Sequence, residues 1–393
     1  MKIVELPISD EAKELLQREG FRELYPPQEL AVKSGLLEGE NSVVASPTAS
    51  GKTLIAMLAA IKHFSEKVGK TIYLTPLRAL ASEKYREFKL MEKLGAKVRI
   101  STGDYDTPGY ELRDADVIVT TNEKMDSLLR HNSPWIKESS LIVADEIHLI
   151  GFEDRGPTLE VLITRLLHEI PNAQILALSA TVSNAYEIAE WLDAKVIDID
   201  WRPVPLKEGV FFQHKIYFAN GEVSRVKRLT GSPRIDLVLD EIMNGGQAIA
   251  FMRTRTDAVK AAIRIAEAIK ENPLIRRSLN ETELKKLSDR VLVEGERTQL
   301  SDILSSLIKF GVAFHHAGLS SIHRSLIEDA FREGKLKALT ATPTLAAGVN
   351  LPSRRVIITY LSRYSMGFSQ PLSVFEYKQM AGRAGRPRYD EYG

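Results

Sequence analysis

The chain has 393 residues, a formal net charge of +1 and no cysteine. Its length fits two domains of about 200 residues each rather than one ordinary core. The near-neutral balance excludes a generally basic coat for nucleic acid, so any such binding needs a local groove. The missing thiols exclude a disulfide framework or a thiolate zinc site and fit an intracellular setting. No apolar run approaches the roughly 20 residues that span a bilayer, and the N-terminus lacks signal-peptide character, so a soluble, cytoplasmic protein is expected. Abundant Lys, Glu and Arg with sparse Asn and Gln suit a heat-adapted source.

In chain order, residues 9–19 open with a Ser/Asp cap and predict a short amphipathic helix ended by Gly20. A second helix runs from Pro26 to Leu37. Residues 42–45 are an apolar run, residues 46–53 read SPTASGKT, and residues 54–61 are helical in pattern. Short β-branched runs at 71–75, 97–100, 117–121, 141–144 and 174–178 alternate with helical stretches. Such alternation predicts an α/β fold, a parallel sheet with helices on both faces and ligands at the C-terminal strand ends. The Pro-punctuated stretch 200–205 breaks the pattern and places a boundary between domains 1–201 and 202–393. The alternation then restarts, with strands at 247–251, 312–314, 338–340 and 356–359 and helices at 255–270 and 321–332. Between them, the charged stretch 271–300 reads as an inserted helical pair or a mobile surface segment.

Strand, SPTASGKT and helix together form the setting of a phosphate-binding loop. The first turn of a helix leaves N–H groups unpartnered and carries partial positive charge, which holds a phosphate. Gly51 lets the backbone approach, Lys52 suits the β- and γ-phosphates, and the Thr53 hydroxyl suits Mg²⁺. Ser46 stands where glycine is usual, while Pro47 and Ala49 stiffen the loop that also holds Thr48 and Ser50. The plainer alternative is a helix capped by Ser50. Residues 141–146 form an apolar strand ending in two carboxylates; Asp145 suits the Mg²⁺ shell and Glu146 the orientation of an attacking water. Such a pair can also be a solvated turn, but a phosphate loop on the same sheet favours chemistry. Adjacent His315 and His316 point to opposite strand faces and cannot readily share one metal ion.

DEIH at 145–148, SAT at 179–181 and QMAGRAGRP at 379–387 resemble motifs II, III and VI of the superfamily 2 helicases. The combination is similar to the Ski-like DEIH-box branch, and within it to the archaeal fork-repair, or Holliday-junction-migration, DNA helicases. The resemblance implies two tandem RecA-like domains acting as an ATP- and Mg²⁺-dependent motor core. It implies that Gln28 reads the adenine edge, with Phe21 or Tyr25 packing near the base. His148, Ser179, Thr181 and Gly348 would couple nucleotide state to strand binding, and Gln379, Arg383 and Arg386 would act at the γ-phosphate. The plainer reading of the two arginines is an exposed helix cap. Pro76, Arg78, Thr121, Lys124, Arg253, Thr254, His316 and Thr342 would contact nucleic acid without regard to base sequence.

Residues 359–372 alternate aromatic and polar side chains around Met366-Gly367 and predict two short strands with a turn. In the resembling helicases a hairpin here parts the strands, so Tyr364, Met366 and Phe368 are expected as a wedge; a surface hairpin used only for packing is the plainer alternative. Those relatives continue into winged-helix and ratchet domains, which this chain is expected to lack, with processive unwinding weakened or lost. The expected activity is translocation from 3′ to 5′ on single-stranded and forked DNA in replication-coupled repair, by a monomer near the nucleoid, with repair proteins as partners through the missing region. An RNA helicase of the same branch, or an ATP-switched clamp on nucleic acid, is the alternative.

Overall fold

The structure, a computed structural model, describes residues 1–393 apart from 104–108, 153–154, 183, 344, 346–350, 366–367 and 388–389, with the backbone alone at 363–365 and 368. The chain divides into two compact units, Met1–Pro203 and Val204–Gly393.

In the first unit, α1 (Asp10–Arg18) is capped by Ser9 Oγ, which accepts the Ala12 N–H, and α2 (Pro26–Lys33) begins on proline. Then follow β1 (Ser42–Ala45), α3 (Lys52–Ser65), β2 (Lys70–Thr75), α4 (Arg78–Phe88), β3 (Val98–Ser101), β4 (Val117–Thr121) and α5 (Asn122–Arg130). The unit closes with β5 (Ser139–Asp145), α6 (Gly156–Glu169), β6 (Gln174–Ser179), α7 (Ala185–Trp191) and β7 (Lys195–Asp198). These strands pair in parallel in the order β3-β4-β2-β5-β6-β1-β7. Val44, Tyr73 and Val143 enter one buried cluster and Val43, Ile72 and Ile142 another. Strands buried on both faces must be apolar throughout, which is why they read as runs. Because β1 and β5 flank β6, the loops after all three open side by side at the carboxyl edge. At the opposite end, His63 of α3 bridges Ser140 Oγ and Gln174 Oε1, both at 2.8 Å, and fastens the helix to the starts of β5 and β6.

The second unit opens with an antiparallel sheet of β8 (Gly209–Phe212), β9 (Lys215–Phe218) and β10 (Val223–Arg225), which the sequence reading does not foresee. Its first turn is made by Gln213 and His214, with φ of 47° and 60°, a mirror-type hairpin turn without the Asn-Gly that advertises one. Next come α8 (Pro233–Met243), β11 (Ala248–Phe251), α9 (Arg255–Glu271), α10 (Pro273–Arg277), α11 (Glu281–Val293), α12 (Gln299–Ile308) and β12 (Val312–His315). The remainder is α13 (Ser321–Arg332), β13 (Ala338–Ala341), β14 (Arg355–Ile358), the hairpin β15 (Ser362–Ser365) and β16 (Phe368–Pro371), and α14 (Val374–Ala381). Strands β12-β13-β11-β14 form a parallel sheet around which one core gathers, including Phe251, Phe314 and Phe331. The charged stretch is the helical pair α10 and α11, whose Ile275, Leu284, Leu287 and Val291 join that core. Each unit is thus a parallel sheet flanked by helices, the fold class expected.

Phe314, on the edge strand β12, is fully buried in this core. Replacing it with Ala is expected to cost about 3–5 kcal/mol through lost burial and the cavity left behind. Denaturant unfolding of the purified variant measures this; a loss below about 1 kcal/mol would contradict the packing described.

Candidate active site

The phosphate loop begins where β1 ends. The Ser46 N–H donates to Ser179 O at 3.2 Å, carrying the β1–β6 pairing one step past the sheet, and the Ser46 and Ser50 hydroxyls meet at 2.8 Å across the loop. Ser46 and Ser50 are buried, while Pro47, Thr48 and Ala49 form a partly exposed crown. Ala49 and Gly51 take left-handed backbone, φ 68° and 84°, and turn the chain into α3. A Cβ at position 51 would lie 2.3 Å from Gln28 Nε2, so glycine is required there on two counts. Gln28 fastens this loop to α2: its Oε1 accepts the Tyr25 N–H at 2.8 Å and its Nε2 donates to Gly51 O at 3.0 Å. Tyr25 packs on Trp201 at 4.8 Å between ring centres. Lys52 Nζ folds back to donate to Ser46 O (2.7 Å) and Pro47 O (3.0 Å). Burial lowers the Lys52 pKa, and the nearby Glu146 and Asp145 charges oppose it.

Asp145 ends β5 and is buried, with Tyr73 donating its hydroxyl to Oδ2 (2.9 Å) and the Glu146 N–H donating to Oδ1 (3.0 Å). Burial first, and the Glu146 charge second, push the Asp145 carboxyl up to about 6. Glu146 itself sits at φ 56°, which turns its carboxylate to 3.2 Å from His148 Nε2. His148 Nδ1 accepts the Ala180 N–H at 3.3 Å and lies 3.3 Å from Ser179 Oγ. An acceptor at Nδ1 leaves the proton of a neutral ring on Nε2, facing Glu146. Burial, then the Lys52 charge, lower the His148 pKa to about 3, so the ring is neutral. Thr181 follows in the same loop with Oγ1 buried.

One participant escapes the sequence reading. Lys84 of α4 is buried, and its Nζ donates to Thr53 Oγ1 at 2.7 Å beside Glu87 (3.1 Å) and Glu83 (3.5 Å). Burial works against its charge, but Glu87, Glu83 and Asp145 outweigh burial and leave its pKa raised. The available signal is a lysine on the apolar stripe of a helix, sharing a face with Leu80, Ala81 and Phe88.

Of the expected nucleic-acid contacts, Arg78, Arg253 and Thr254 are exposed. Arg78 opens α4; Arg253 Nη2 donates to Ser362 Oγ at 3.1 Å; Thr254 Oγ1 accepts the Asp257 N–H at 3.0 Å and caps α9. Pro76, Thr121, Lys124, His316 and Thr342 are buried. Lys124 and His316 are 1% and 2% exposed. Lys124 falls one turn before Leu128 on the inward face of α5, and His316 stacks on Phe314 at 5.3 Å while its Nδ1 accepts the Gly318 N–H at 3.1 Å. Gly348 and Met366 lie outside the described residues. Tyr364 and Phe368 fall in β15 and β16.

In the second unit, Gln379 is half-buried on α14 and Arg383 is buried, its carbonyl accepting the Ser353 N–H at 2.8 Å. Burial of Arg383 does not fit the exposed-cap alternative. Arg386 grips Asp390 through Nε (2.8 Å) and Nη2 (2.8 Å), and Gln247 Oε1 through Nη1 (2.7 Å). Neither Asp390 nor Gln247 is singled out by the sequence motifs.

The DEAD/DEAH box helicase family matches residues 25–188, and the helicase conserved C-terminal domain matches residues 270–388. The chain is 48% identical over 393 residues to the ATP-dependent DNA helicase Hel308 of Pyrococcus abyssi (strain GE5 / Orsay), covering 100% of this chain and 53% of that protein. It is 46% identical over 393 residues to Hel308 of Pyrococcus horikoshii, again covering 100% of this chain and 53% of the relative. With Hel308 of Methanocella arvoryzae the identity is 46% over 400 residues, with the same shares. The chain spans about half the length of the curated relatives it matches.

Because the His148 pKa falls from 6.5 to about 3 on folding, the unfolded chain takes up the proton first as pH drops. Stability from this group is therefore complete above pH 6.5 and is lost below it. Relative to His148→Gln, the nucleotide-free protein is expected to lose about 1 kcal/mol between about pH 7.5 and about pH 5.5. Chemical denaturation at both pH values measures it, and parallel pH profiles would contradict a neutral buried ring.

Proposed function

This chain belongs to the DEAD/DEAH box helicases of superfamily 2, and from that premise we propose that it is the ATPase motor core of a DNA helicase. It moves from 3′ to 5′ on single-stranded DNA and opens forked or branched DNA in replication-coupled repair. The observation that carries this reading is the meeting of Lys52, Thr53, Asp145, Glu146 and the His148–Ser179 pair at the carboxyl edge of one sheet.

The α3 N-terminus and Lys52 bind the triphosphate, Lys52 exchanging the Ser46 and Pro47 carbonyls for phosphate oxygens. Among the described residues no group of three or more His, Asp or Glu side chains could hold a metal ion. One carboxylate and one hydroxyl, Asp145 and Thr53, fit Mg²⁺, which takes few protein ligands and keeps phosphate and water. Asp145 and Thr53 would hold the ion, which would supply positive charge to offset that of the phosphates. Glu146 orients the attacking water. The same carboxylate faces the His148 Nε2–H, whose other nitrogen meets Ser179 and Ala180, so a change at Glu146 reaches the SAT segment through one ring. Arg386 and Arg383 supply positive charge to the γ-phosphate, and Gln379 a neutral amide donor. Arg78, Arg253 and Thr254 hold the sugar-phosphate backbone, so the grip is blind to base sequence and weakens with salt.

Lys52→Ala is expected to abolish ATP turnover, and Glu146→Gln to bind ATP without hydrolysing it. Wild-type turnover in both would remove the assignment. ATPase rates with single-stranded DNA, single-stranded RNA and neither are expected to rank DNA first; stronger stimulation by RNA would move the protein to the RNA-directed members of its branch, and no stimulation would leave no motor.

A further inference from the structure

We infer that Asp390, seated against the locked amide of Gln247, is the positioning residue of Arg386. The inference rests on the reading of Arg386 as the arginine that meets the γ-phosphate.

The backbone around Arg386 is held from both sides. Gly385 turns the chain at φ 88°, where a Cβ would come within 2.6 Å of Val204 Cγ1, and its N–H donates to Ser353 O at 2.7 Å. Four residues on, the Asp390 N–H donates to Arg386 O at 3.0 Å, which ties the two residues together. What remains to be set is a long, rotamer-rich side chain, whose ordering costs up to about 2 kcal/mol.

Asp390 orders it with three bonds to a single residue. Its carboxylate accepts the Arg386 backbone N–H at 2.8 Å, Nε at 2.8 Å and Nη2 at 2.8 Å. The Nε/Nη2 fork fixes the guanidinium plane, as a point-like lysine ammonium could not be fixed. The Asp390 side chain is 3% exposed, so solvent does not compete for the fork.

Gln247 supplies the third fixed point. Its Nε2 donates to Phe331 O (2.8 Å) and Leu336 O (2.7 Å), which leaves Oε1 to accept Nη1 of Arg386 at 2.7 Å. The reversed amide would face an oxygen to two carbonyls and an NH₂ to a cation, so its orientation is forced. Held at Nε, Nη2 and Nη1, the guanidinium has a set position and plane before any phosphate arrives. Preorganised charge of this kind lowers a barrier without reorganisation during the reaction.

The test is a double-mutant cycle on DNA-stimulated ATP hydrolysis with Asp390→Ala, Asp390→Asn, Arg386→Ala and the doubles. Asp390→Ala is expected to lower kcat about tenfold, equivalent to about 1.4 kcal/mol of barrier, with KM for ATP within about twofold. In the Arg386→Ala background it is expected to add nothing, a result that a merely structural role would not give. Asp390→Asn keeps the volume and gives the same cycle if the Ala variant unfolds, as checked by its melting midpoint. A wild-type or raised kcat in both Asp390 variants beside a slow Arg386→Ala would overturn the inference, as would losses that multiply in the double. A wild-type rate in Arg386→Ala itself would instead overturn the reading of the arginine.

Discussion

Charge kept out of water is the constraint on which the active edge of the first unit depends. Burial lowers the Lys52 pKa against the pull of Glu146 and Asp145, whereas Lys84 keeps its charge through Glu87, Glu83 and Asp145. Asp145 is shared by both cations, and burial with the neighbouring Glu146 still lifts its pKa to about 6. A buried ion pair does little more than offset its own desolvation, whereas an orphaned partner costs several kcal/mol. The set therefore stands or falls together, and incoming charge at the loop has to redistribute the whole of it. Helix α4 joins two parts of this arrangement physically: Arg78 begins it, and Lys84 on its buried face meets Thr53.

Much of that edge was legible beforehand because both kinds of signal were local. Strands buried on two faces must be continuous apolar runs, so β1, β2, β4, β5 and β6 stood out, and SPTASGKT declares its turn through Gly51. What escaped was set by contacts distant in sequence. The β8–β10 sheet turns on Gln213 and His214, residues that seldom adopt positive φ together. Lys84 belongs to no motif, although its spacing from Leu80 and Phe88 puts it on the buried stripe. The burial of Lys124 and His316 was not legible either, because the face on which a residue lands depends on the angle at which its element leaves the sheet. That angle comes from packing.

The functional side chains of both units share a local device. Lys52 follows Gly51 at φ 84°, Arg386 follows Gly385 at φ 88°, and Glu146 itself sits at φ 56°. A left-handed residue reverses the chain sharply at the end of a strand or helix, so the next side chain projects from the element instead of joining its packing. Glycine does this without strain, whereas Ala49 and Glu146 each accept about 1–2 kcal/mol of it. Such strain persists only where the surroundings over-determine the conformation. Around Glu146 they do: its N–H is held by Asp145 Oδ1 and its carboxylate faces His148, which is in turn fixed by Ala180. Around Arg386 the backbone is relaxed at glycine and the order lies in the side chain, through Asp390 and Gln247. The carboxylate that must orient a water is thus fixed through its main chain, and the arginine that must meet a phosphate is fixed through its fork, each by the means its length allows.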